Sequence, residues 1–395
     1  MKVLLIHQYF TTPEIGGPLR SYHLAKGMVQ HGHEVTVVTA HNAKGYRHEL
    51  IEGFSVHYLP VFYQNELGFF RRSWAFLKFF LLASRKVSRL GTFDLCYAIS
   101  TPLTVGAIAL RLHRKFSLPY FFEVGDLWPE APIQMGVLRN RWAIRFWRNF
   151  EKKVYDKALK IVALSPPIAK AIKQTSPQAE VEVLPNMADC QHYQPFLKPA
   201  HSQRFKIIYF GAAGKANNLS YLLKVAAQSD DQLQFIIAAK GAELQRIKNE
   251  ANGLNNVVFL NYQNSHQLKN TLKEVDAVYV SYASLPVLTT GSPHKFFEGL
   301  ASGKLMILNF GGWLAKLVEA NECGFHYNPE QPQMMLTQLE PYLQDHQRLL
   351  QAQKRARSLA EERFSKEIII QRLADILSSP IRERVTESAA YTVTV

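Results

Sequence analysis

The chain has 395 residues, of which 47% are hydrophobic and 20% are charged. This composition supplies enough apolar surface for two or three packed domains and excludes a globally disordered protein. The 46 basic and 32 acidic residues give a net charge of +14, and residues 1–190 carry +10 of that excess. The amino-terminal half is therefore expected to meet an anionic partner, such as a phosphorylated substrate, an acidic membrane or a nucleic acid.

The cysteines and the amino terminus narrow the class of protein further. Cys96, Cys190 and Cys323 are odd in number and far apart, which excludes a disulfide framework or a Cys-rich zinc site and favours a reducing cytoplasm. No His, Asp or Glu cluster has convincing metal-ligand spacing, so we expect no obligatory metal. The first ten residues predict a strand and not a signal peptide. The apolar run 74–83 is too short to span a bilayer.

Short apolar runs alternate with stretches of helical period along most of the chain. Strands are predicted, in chain order, at 3–7, 34–39, 54–59, 94–99, 120–124, 161–164, 181–184, 205–210, 233–238, 257–260, 277–280 and 305–308. Continuous apolar runs are typical of parallel strands covered on both faces. The pattern restarts once, which predicts two doubly wound α/β domains.

The domain boundaries follow from this restart. We expect an amino-terminal domain at 1–190, a polar linker at 191–204 and a second domain at 205–363. A last helix is predicted at about 364–378, and the tail 379–395 is expected to be weakly ordered.

A glycine pair follows the first strand, where nucleotide-binding folds place their phosphate loops. The chain contains neither GxGxxG nor GxxxxGK[ST], which argues against a dinucleotide-binding site or a P-loop. Gly16 and Gly17 precede a helix from about Leu19, so their bare N–H groups could approach a phosphate or a sugar. A plain turn explains the pair equally well.

A second candidate site lies at 289–303, after the predicted strand 277–280. Ser292 suits a helix N-cap, Pro293 the first helical position and Gly303 the stop. Lys295 and Glu298 share one helix face, where they would serve the diphosphate and the ribose hydroxyls of a nucleotide-sugar. The same spacing is also typical of an ordinary solvated ion pair, worth about 0.2–0.5 kcal/mol.

Five stretches in order resemble glycosyltransferase family 4, whose members are retaining enzymes of the GT-B fold. They are the Gly-Gly loop with its helix and strand at 15–39, FEVGDLWPE at 122–130, VLPNMAD at 183–189, FGAAGKANNL at 210–219 and SPHKFFEGLASGK at 292–304. The stretch 122–130 is similar to a bacterial branch that makes surface polysaccharides. The resemblance covers residue 1 to about 378. It implies two Rossmann-like domains facing a cleft, with the last helix crossing back to the amino-terminal domain.

The resemblance also implies a set of site residues. Those expected to bind the nucleotide-diphosphate-sugar are Gly16, Gly17, Gly214, Lys215, Asn217, Lys240, Gly291, Ser292, Pro293, His294, Lys295 and Glu298. Asp126, Lys215 and Lys295 are the expected catalytic residues. Asp126 would orient the acceptor or the sugar and could act as a base. Its structural alternative is a helix N-cap or a partner for Arg141 or Arg145.

Three positions depart from the family pattern. Thr290 stands in place of the first glutamate of the family's spaced pair, Ala212 in place of an arginine, and Gly125 in place of another arginine. Lys215 or Lys240 would then supply the cation that neutralises the phosphates. These departures motivate an alternative, a catalytically silent GT-B subunit that scaffolds a polysaccharide-assembly complex.

Two basic, apolar stretches at 69–90 and 139–160 suggest contact with an anionic membrane. In the first, Arg71, Lys78 and Arg85 form one helix stripe, and the apolar stripe beside it consists of Phe70, Trp74, Leu77 and Leu81. The second sets Arg141, Arg145, Arg148 and Lys152 beside Phe146, Phe150 and Val154. Packing of both apolar faces on the sheet is the alternative. No nucleic-acid recognition motif accompanies the charge.

These observations together predict a hexosyl- or N-acetylhexosaminyltransferase of bacterial surface polysaccharide or lipopolysaccharide biosynthesis. It would use a nucleotide-diphosphate-sugar as co-substrate, no other cofactor, and a lipid-linked glycan as acceptor. A soluble acceptor is the rival within this class. The expected location is cytoplasmic, peripheral at the inner face of the cytoplasmic membrane.

Overall fold

The computed structural model describes residues 1–64, 67–196 and 204–391, with residue 69 and residues 379–391 described by their backbone alone. The described chain forms two α/β domains, each built around its own twisted sheet. Apolar residues cover both faces of each sheet, as the continuous apolar runs predicted. Among the described helices, none combines the length and the apolarity that crossing a bilayer requires.

The amino-terminal domain contains an eight-stranded sheet in the order β3-β4-β2-β1-β5-β6-β7-β8. Its elements are β1 (Lys2–Ile6), α1 (Arg20–Gln30), β2 (Glu34–His41), β3 (Arg47–Ile51), β4 (Phe54–Pro60), α2 (Phe69–Val87), β5 (Leu95–Ile99), α3 (Thr104–Phe116), β6 (Tyr120–Val124), α4 (Glu130–Gln134), α5 (Arg141–Lys157), β7 (Lys160–Ala163), α6 (Pro166–Thr175) and β8 (Val181–Val183). All neighbours are parallel except β3, which pairs antiparallel with β4 at the edge. Strand β3 was not predicted, because its residues, RHELI, are of mixed polarity and mostly exposed.

The carboxy-terminal domain contains a six-stranded parallel sheet in the order β11-β10-β9-β12-β13-β14. Its elements are β9 (Phe205–Ala212), α7 (Ser220–Ala226), β10 (Leu233–Lys240), α8 (Leu244–Glu250), β11 (Val257–Leu260), α9 (Ser265–Lys273), β12 (Ala277–Val280), a 3-10 helix (Pro286–Thr290), α10 (His294–Ala301), β13 (Leu305–Leu308), α11 (Trp313–Ala320), β14 (Gly324–His326), α12 (Pro332–Gln344), α13 (His346–Leu359), a π-helical turn (Ala360–Phe364) and α14 (Lys366–Tyr391). Sequence analysis also missed β14, whose three residues are too few to show a pattern.

The last helix returns to the amino-terminal domain, as predicted. Ile369 and Leu373 of α14 are buried in the same core cluster as Val3 of β1. A Cβ atom at Gly27 of α1 would come within 2.5 Å of Ile370, so only glycine allows this approach of the two helices. The backbone of α14 continues to Tyr391, beyond the end predicted at 378. Of the predicted tail and linker, residues 392–395 and 197–203 lie outside the described chain.

Candidate active site

A cavity of about 1180 Å³ lies between the two domains, where the loops after their parallel strands meet. This is the edge at which open α/β sheets bind their ligands. The predicted donor-site residues that line it are Gly16, Gly17, Asn217, Lys240, Pro293, His294, Lys295 and Glu298. The fold therefore brings together residues that are far apart in the sequence.

Four of the predicted donor-site residues are not among the residues that line this cavity. Lys215 is exposed on the loop after β9, and Gly214 precedes it there. The carbonyl of Gly291 accepts a hydrogen bond from the indole N–H of Trp313 at 2.8 Å. Ser292 is buried and bonded to the amino-terminal domain. Gly291 and Ser292 therefore form hydrogen bonds with other protein groups and do not line the cavity.

The start of α10 differs from the prediction by one residue. The helix begins at His294, and its N-cap is Pro293 and not Ser292. The Ser292 hydroxyl instead accepts the backbone N–H of Asn186 at 3.2 Å, and the Ser292 carbonyl accepts the side-chain amide of Asn186. No side chain caps the first turn of α10; the N–H of Phe296 donates to the Pro293 carbonyl at 3.1 Å, so the N–H groups of His294 and Lys295 are the ones that a helix of this start leaves without an intrahelical acceptor. The predicted stop is confirmed, since Gly303 has a φ of +60° just after the helix.

Lys295 and Glu298 project from α10 into the cavity, but the ammonium of Lys295 does not donate to Glu298. Its Nζ donates instead to the Tyr209 hydroxyl at 2.7 Å and lies 3.9 Å from the centroid of that ring. Burial lowers the pKa of Lys295 to about 7, against the opposing effect of the Glu298 charge. Burial likewise raises the pKa of Glu298 to about 7, against the effects of Lys295 and of a hydrogen bond from Tyr193. The solvated ion pair that was the alternative interpretation is therefore wrong.

Aromatic residues support the cavity cations, and sequence analysis did not find them. Tyr209 lies in the buried strand β9, and Tyr193 lies in the segment between the domains. Lys240 places its Nζ 3.6 Å from the ring centroid of Tyr262, within range of a cation–π interaction. In sequence these tyrosines resemble ordinary core residues, and no motif distinguishes them.

The glycine loop requires glycine at both positions but offers fewer donors than expected. Gly16 and Gly17 have φ angles of +75° and +103°, which other residues rarely adopt. The N–H of Gly16 already donates to the carbonyl of Thr12 at 3.0 Å. The expectation that both glycine N–H groups are available to a ligand is therefore wrong for Gly16.

Asp126 lies beside the cavity and not among the residues that line it. Its carboxylate accepts a hydrogen bond from the Thr101 hydroxyl at 3.3 Å. Pro129, and not Asp126, is the N-cap of α4, and Glu130 is the carboxylate that pairs with Arg148. The structural alternatives predicted for Asp126 are thus not what the structure shows. Desolvation in the cleft raises the pKa of Asp126.

The charge of Asp126 affects one residue that lines the cavity, Tyr282. It contributes, after burial, to raising the pKa of Tyr282, which lines the cavity wall. The catalytic role of Asp126 stays a prediction.

Glu123, at the end of β6, has a fully buried partner. The Arg20 guanidinium donates to both of its carboxylate oxygens, at 2.8 and 3.0 Å, and the Tyr97 hydroxyl donates to it at 2.6 Å. Arg20 also donates to the carbonyls of Leu184 and Pro185 at 2.9 and 2.7 Å, so it fixes the start of the segment that joins the domains. A buried partner for the Glu123 carboxylate was expected, but its identity as Arg20, 103 residues away, has no signal in the sequence.

Two histidines near Arg20 are held neutral. Burial, followed by the positive charge of Arg20, lowers the pKa of His7 and of His294 to about 3 in each case. His294 lines the cavity at the start of α10. It therefore presents a neutral imidazole there at physiological pH, and the formal positive charge on α10 at this end of the cavity rests on Lys295.

The three departures from the family pattern also have definite positions. Ala212 lines the cavity. The Thr290 hydroxyl donates within its own turn to Val287 at 2.7 Å, and the Thr290 carbonyl accepts from Ser165 at 2.6 Å. A Cβ atom at Gly125 would lie 3.4 Å from the carbonyl of Ser100.

Two Rossmann-like domains that face one cleft, with the final helix returned to the first domain, define the GT-B class of glycosyltransferases. Residues 16–187 match the model of the glycosyl transferase 4-like domain, and residues 195–359 match that of the glycosyl transferases group 1. The chain therefore belongs to the glycosyltransferases of the family 4 type. A comparison with curated proteins found no significant match.

Solved structures of the same fold cover nearly the whole chain at low identity. Sucrose-phosphate synthase from Thermosynechococcus elongatus aligns with a TM-score of 0.79 and 16% identity, over 97% of this chain and 99% of that one. Anabaena HepE in complex with UDP-glucose aligns with a TM-score of 0.70 and 18% identity, over 96% and 100%. WaaG, a glycosyltransferase involved in lipopolysaccharide biosynthesis, aligns with a TM-score of 0.66 and 14% identity, over 95% and 99%. These similarities establish the fold.

Proposed function

We propose that the protein is a retaining glycosyltransferase that moves a sugar from a nucleotide-diphosphate-sugar to a lipid-linked glycan in bacterial surface polysaccharide or lipopolysaccharide biosynthesis. The observation that carries this proposal is the position of Lys295 and Glu298 beside the uncapped start of α10, inside the interdomain cavity. A cation and the amino terminus of a helix suit a diphosphate, and a carboxylate suits ribose hydroxyls. Anabaena HepE, with the same fold, was solved with UDP-glucose bound, which supports this class of donor.

The chemistry asks the protein mainly to stabilise negative charge on the leaving diphosphate. The leading N–H groups of α10 and the Lys295 ammonium would do this as the bond between the anomeric carbon and the phosphate oxygen breaks. The acceptor hydroxyl then forms a new bond to the anomeric carbon on the same face, and its proton passes to the leaving phosphate oxygen. No covalent nucleophile and no obligatory metal are needed. Asp126 would orient the acceptor or the sugar.

The location that we propose is the surface of an anionic membrane, because the predicted apolar stripe of α2 is solvent-exposed. Phe70, Trp74, Leu77 and Leu81 are 86%, 64%, 45% and 42% exposed. The opposite face of α2 is buried through Phe79 and Ala83. The alternative, in which the predicted stripe packs on the sheet, is therefore wrong for α2.

Basic residues accompany this apolar surface. Arg71, Lys78 and Arg85 are all exposed on α2. On α5, Phe146 is 61% exposed, but Phe150 packs against the core and Val154 is buried, so the alternative of packing on the sheet holds for most of the predicted stripe. Trp142, outside that stripe, is 80% exposed. Exposed apolar and basic residues side by side suit an anionic interface, at roughly 1 kcal/mol for each basic residue near the surface. WaaG, which has the same fold, is a glycosyltransferase involved in lipopolysaccharide biosynthesis, and this is consistent with a lipid-linked acceptor for the present protein.

Calorimetry with uridine, guanosine and adenosine diphosphate sugars tests the donor site. We expect one donor to bind, and Lys295→Ala and Glu298→Ala each to weaken it about tenfold or more without unfolding the chain. Lys316 and Glu319 of α11 have the same spacing, are exposed and do not line the cavity, so Lys316→Ala is the matched control. Unchanged donor affinity in both cavity variants would contradict the assignment.

Donor hydrolysis separates the enzyme from the silent scaffold that the departures at Thr290, Ala212 and Gly125 suggest. An enzyme slowly releases nucleotide from its own sugar donor even without an acceptor, and Lys295→Ala should abolish that release. A scaffold subunit would release no nucleotide from any of the donors.

A further inference from the structure

One part of the interdomain cavity remains unexplained by the donor site. It lies over the amino-terminal sheet, at the carboxyl ends of β1, β2 and β4 and beside the edge strand β3. Gln8, Tyr9, Arg47, Tyr58 and Tyr63 line it. We call this part the sheet-side arm.

The sheet-side arm is built on a row of residues that crosses three adjacent strands, β2, β4 and β3, and the turn after β1. The carbonyl of Gln8 accepts the Thr39 hydroxyl at 3.3 Å, Thr39 pairs with Tyr58 across β2 and β4, and Tyr58 pairs with Arg47 across β4 and β3. The Arg47 guanidinium carbon lies 4.2 Å from the centroid of the Tyr58 ring. Strand pairing therefore fixes the positions of Tyr58 and Arg47, and the hydrogen bond from Thr39 ties Gln8, in the turn after β1, to β2.

Gln8 contributes a buried side-chain amide beside the cavity. Its side chain is only 1% exposed, and both its nitrogen and its oxygen lack a hydrogen-bond partner among the described groups. A buried unsatisfied polar group costs about 1–3 kcal/mol, so an apolar residue would stabilise the fold better. Because this amide adjoins the cavity, the hydroxyl groups of a polar ligand are suited to satisfy it.

The mouth of the sheet-side arm is aromatic. Tyr9 and Tyr63 lie with their ring centroids 4.8 Å apart, at an interplanar angle of 47°. Tyr63 in turn stacks on Phe76 of α2 at 5.7 Å, and the Arg72 guanidinium carbon lies 5.9 Å from the Tyr63 centroid. Such rings offer an apolar face with a polar edge, which suits the carbon-bound hydrogens of a sugar ring. The aromatic contacts continue from the cavity to α2, the helix with the exposed apolar stripe.

The charge of the sheet-side arm favours an anion. Among its lining residues that the structure describes, none is a carboxylate, and Arg47 supplies a guanidinium. Glu49, the nearest acid on β3, faces Arg47 at 3.3 Å outside the cavity lining, and both side chains are part-exposed, so this ion pair is weak and exchangeable. A guanidinium can bind a phosphate with two parallel hydrogen bonds.

We infer that the sheet-side arm binds an acceptor that is a sugar phosphate or diphosphate, with the sugar against Tyr9, Tyr63 and Gln8 and the phosphate on Arg47. This inference rests on the proposed glycosyltransferase function and adds the chemical class of the acceptor. The phosphate could belong to a free sugar phosphate or to a lipid-linked diphosphate, and the probes below distinguish the two.

Binding of three probes, measured by calorimetry in the presence of the nucleotide that the protein binds, tests this inference. The probes are methyl N-acetyl-α-glucosaminide, N-acetylglucosamine 1-phosphate and farnesyl-diphospho-N-acetylglucosamine. We expect the phosphorylated probes to bind more tightly than the neutral glycoside. Arg47→Ala should weaken only the phosphorylated probes, by about tenfold, and Tyr63→Ala should weaken all three. Tighter binding of the third probe than of the second would assign a lipid-linked acceptor, and equal binding a free sugar phosphate.

Two further variants guard against trivial explanations. Lys44 is an exposed cation on the loop between β2 and β3 and does not line the cavity, so Lys44→Ala should leave the affinity for all three probes unchanged. Gln8→Leu should lower affinity for the sugar while leaving the melting temperature unchanged or higher, which a purely structural role would not produce.

The outcomes also separate this inference from the proposed function. If no nucleotide binds, the glycosyltransferase proposal itself fails. If nucleotide binds but the phosphorylated probes do not, or if Arg47→Ala leaves their affinity unchanged, only the assignment of the sheet-side arm is overturned.

Discussion

Asn186 and Ser292 connect the two domains directly at the start of the donor-site helix. The backbone N–H of Asn186 donates to the Ser292 hydroxyl at 3.2 Å, and its side-chain amide donates to the Ser292 carbonyl. Both residues are buried. The segment that joins the domains therefore holds Ser292, two residues before α10 begins, and this contact sets where the first turn of the helix lies in the cavity.

Loss of this contact should weaken donor binding more than it weakens the fold. Asn186→Ala leaves the buried Ser292 carbonyl without its donor, at a cost of about 1–3 kcal/mol, and frees the start of α10. We expect a higher donor KM in a protein that still folds. Asn256→Ala is the matched control, because Asn256 is a buried amide with two hydrogen bonds far from the cavity. Equal donor KM values in the two variants would contradict a positioning role for Asn186.

Donor affinity should be highest near pH 7 and fall on both sides. Burial lowers the pKa of Lys295 to about 7, so the ammonium that pairs with the diphosphate is lost as the pH rises above that value. Burial raises the pKa of Glu298 to about 7, so the carboxylate that accepts ribose hydroxyls is lost as the pH falls below it. Calorimetry between pH 5.5 and about 8.5 measures this profile. Lys295→Ala should remove the alkaline limb and Glu298→Gln the acidic limb, and a flat profile for the unmodified protein would exclude this assignment.

The buried pair of Arg20 and Glu123 should show strong coupling in unfolding experiments. Arg20→Met strands the Glu123 carboxylate without its guanidinium, and the expected loss is about 3–5 kcal/mol. Arg20→Met combined with Glu123→Gln should recover part of that loss, because the second change removes the stranded charge. Guanidinium-induced unfolding followed by circular dichroism provides the measurement. If the two changes simply add, Arg20 and Glu123 are not coupled as the structure indicates.

Glu151 on α5 should make the protein less stable as the pH rises. Burial raises its pKa from 4.5 to about 7, against a hydrogen bond from Tyr155. Between these two values the folded state holds a proton that the unfolded state has released. The free energy of unfolding therefore falls, by up to about 3 kcal/mol, as the pH rises from about 4.5 to 7, and it stays at the lower value above pH 7.

Glu151→Gln should accordingly raise the melting temperature at pH 8 and have little effect at pH 4.5. Glu340→Gln, on an exposed face of α12, is the control and should shift the melting temperature equally at both values. A Glu151→Gln variant that is no more stable than the parent at pH 8 would show that this carboxylate is adequately solvated.

Membrane binding, if α2 mediates it, should depend on its exposed aromatic residues and on salt. We expect sedimentation with phosphatidylglycerol vesicles, little sedimentation with neutral vesicles, and release at high ionic strength. Trp74→Ser should reduce partitioning into vesicles about tenfold, because it removes a large apolar side chain that would be buried in the membrane interface on binding. Leu50→Ser, at a site on β3 that is 76% exposed, is the control for loss of a surface apolar residue. Equal recovery of all proteins in the supernatant would argue against this surface.

The sequence alone determined much of the architecture, since a buried parallel strand is apolar throughout and that pattern is local. The twelve predicted strands all occur, and both missed strands, β3 and β14, lack such a pattern because one is polar at an edge and the other has three residues. The stop at Gly303 and the stripe of α2 follow in the same way from local rules of backbone conformation and helical period.

Only the tertiary structure decided which of the predicted site residues share a cavity and what else stands there. The partners of Glu123, Lys295 and Ser292 are Arg20, Tyr209 and Asn186, each at least 86 residues away along the chain. Such pairs produce no periodic pattern in the sequence, because the contact between their members depends on strand order and on how the two domains face each other. Burial, which sets the pKa values of Lys295 and Glu298, likewise belongs to the packed protein and not to any local stretch of residues.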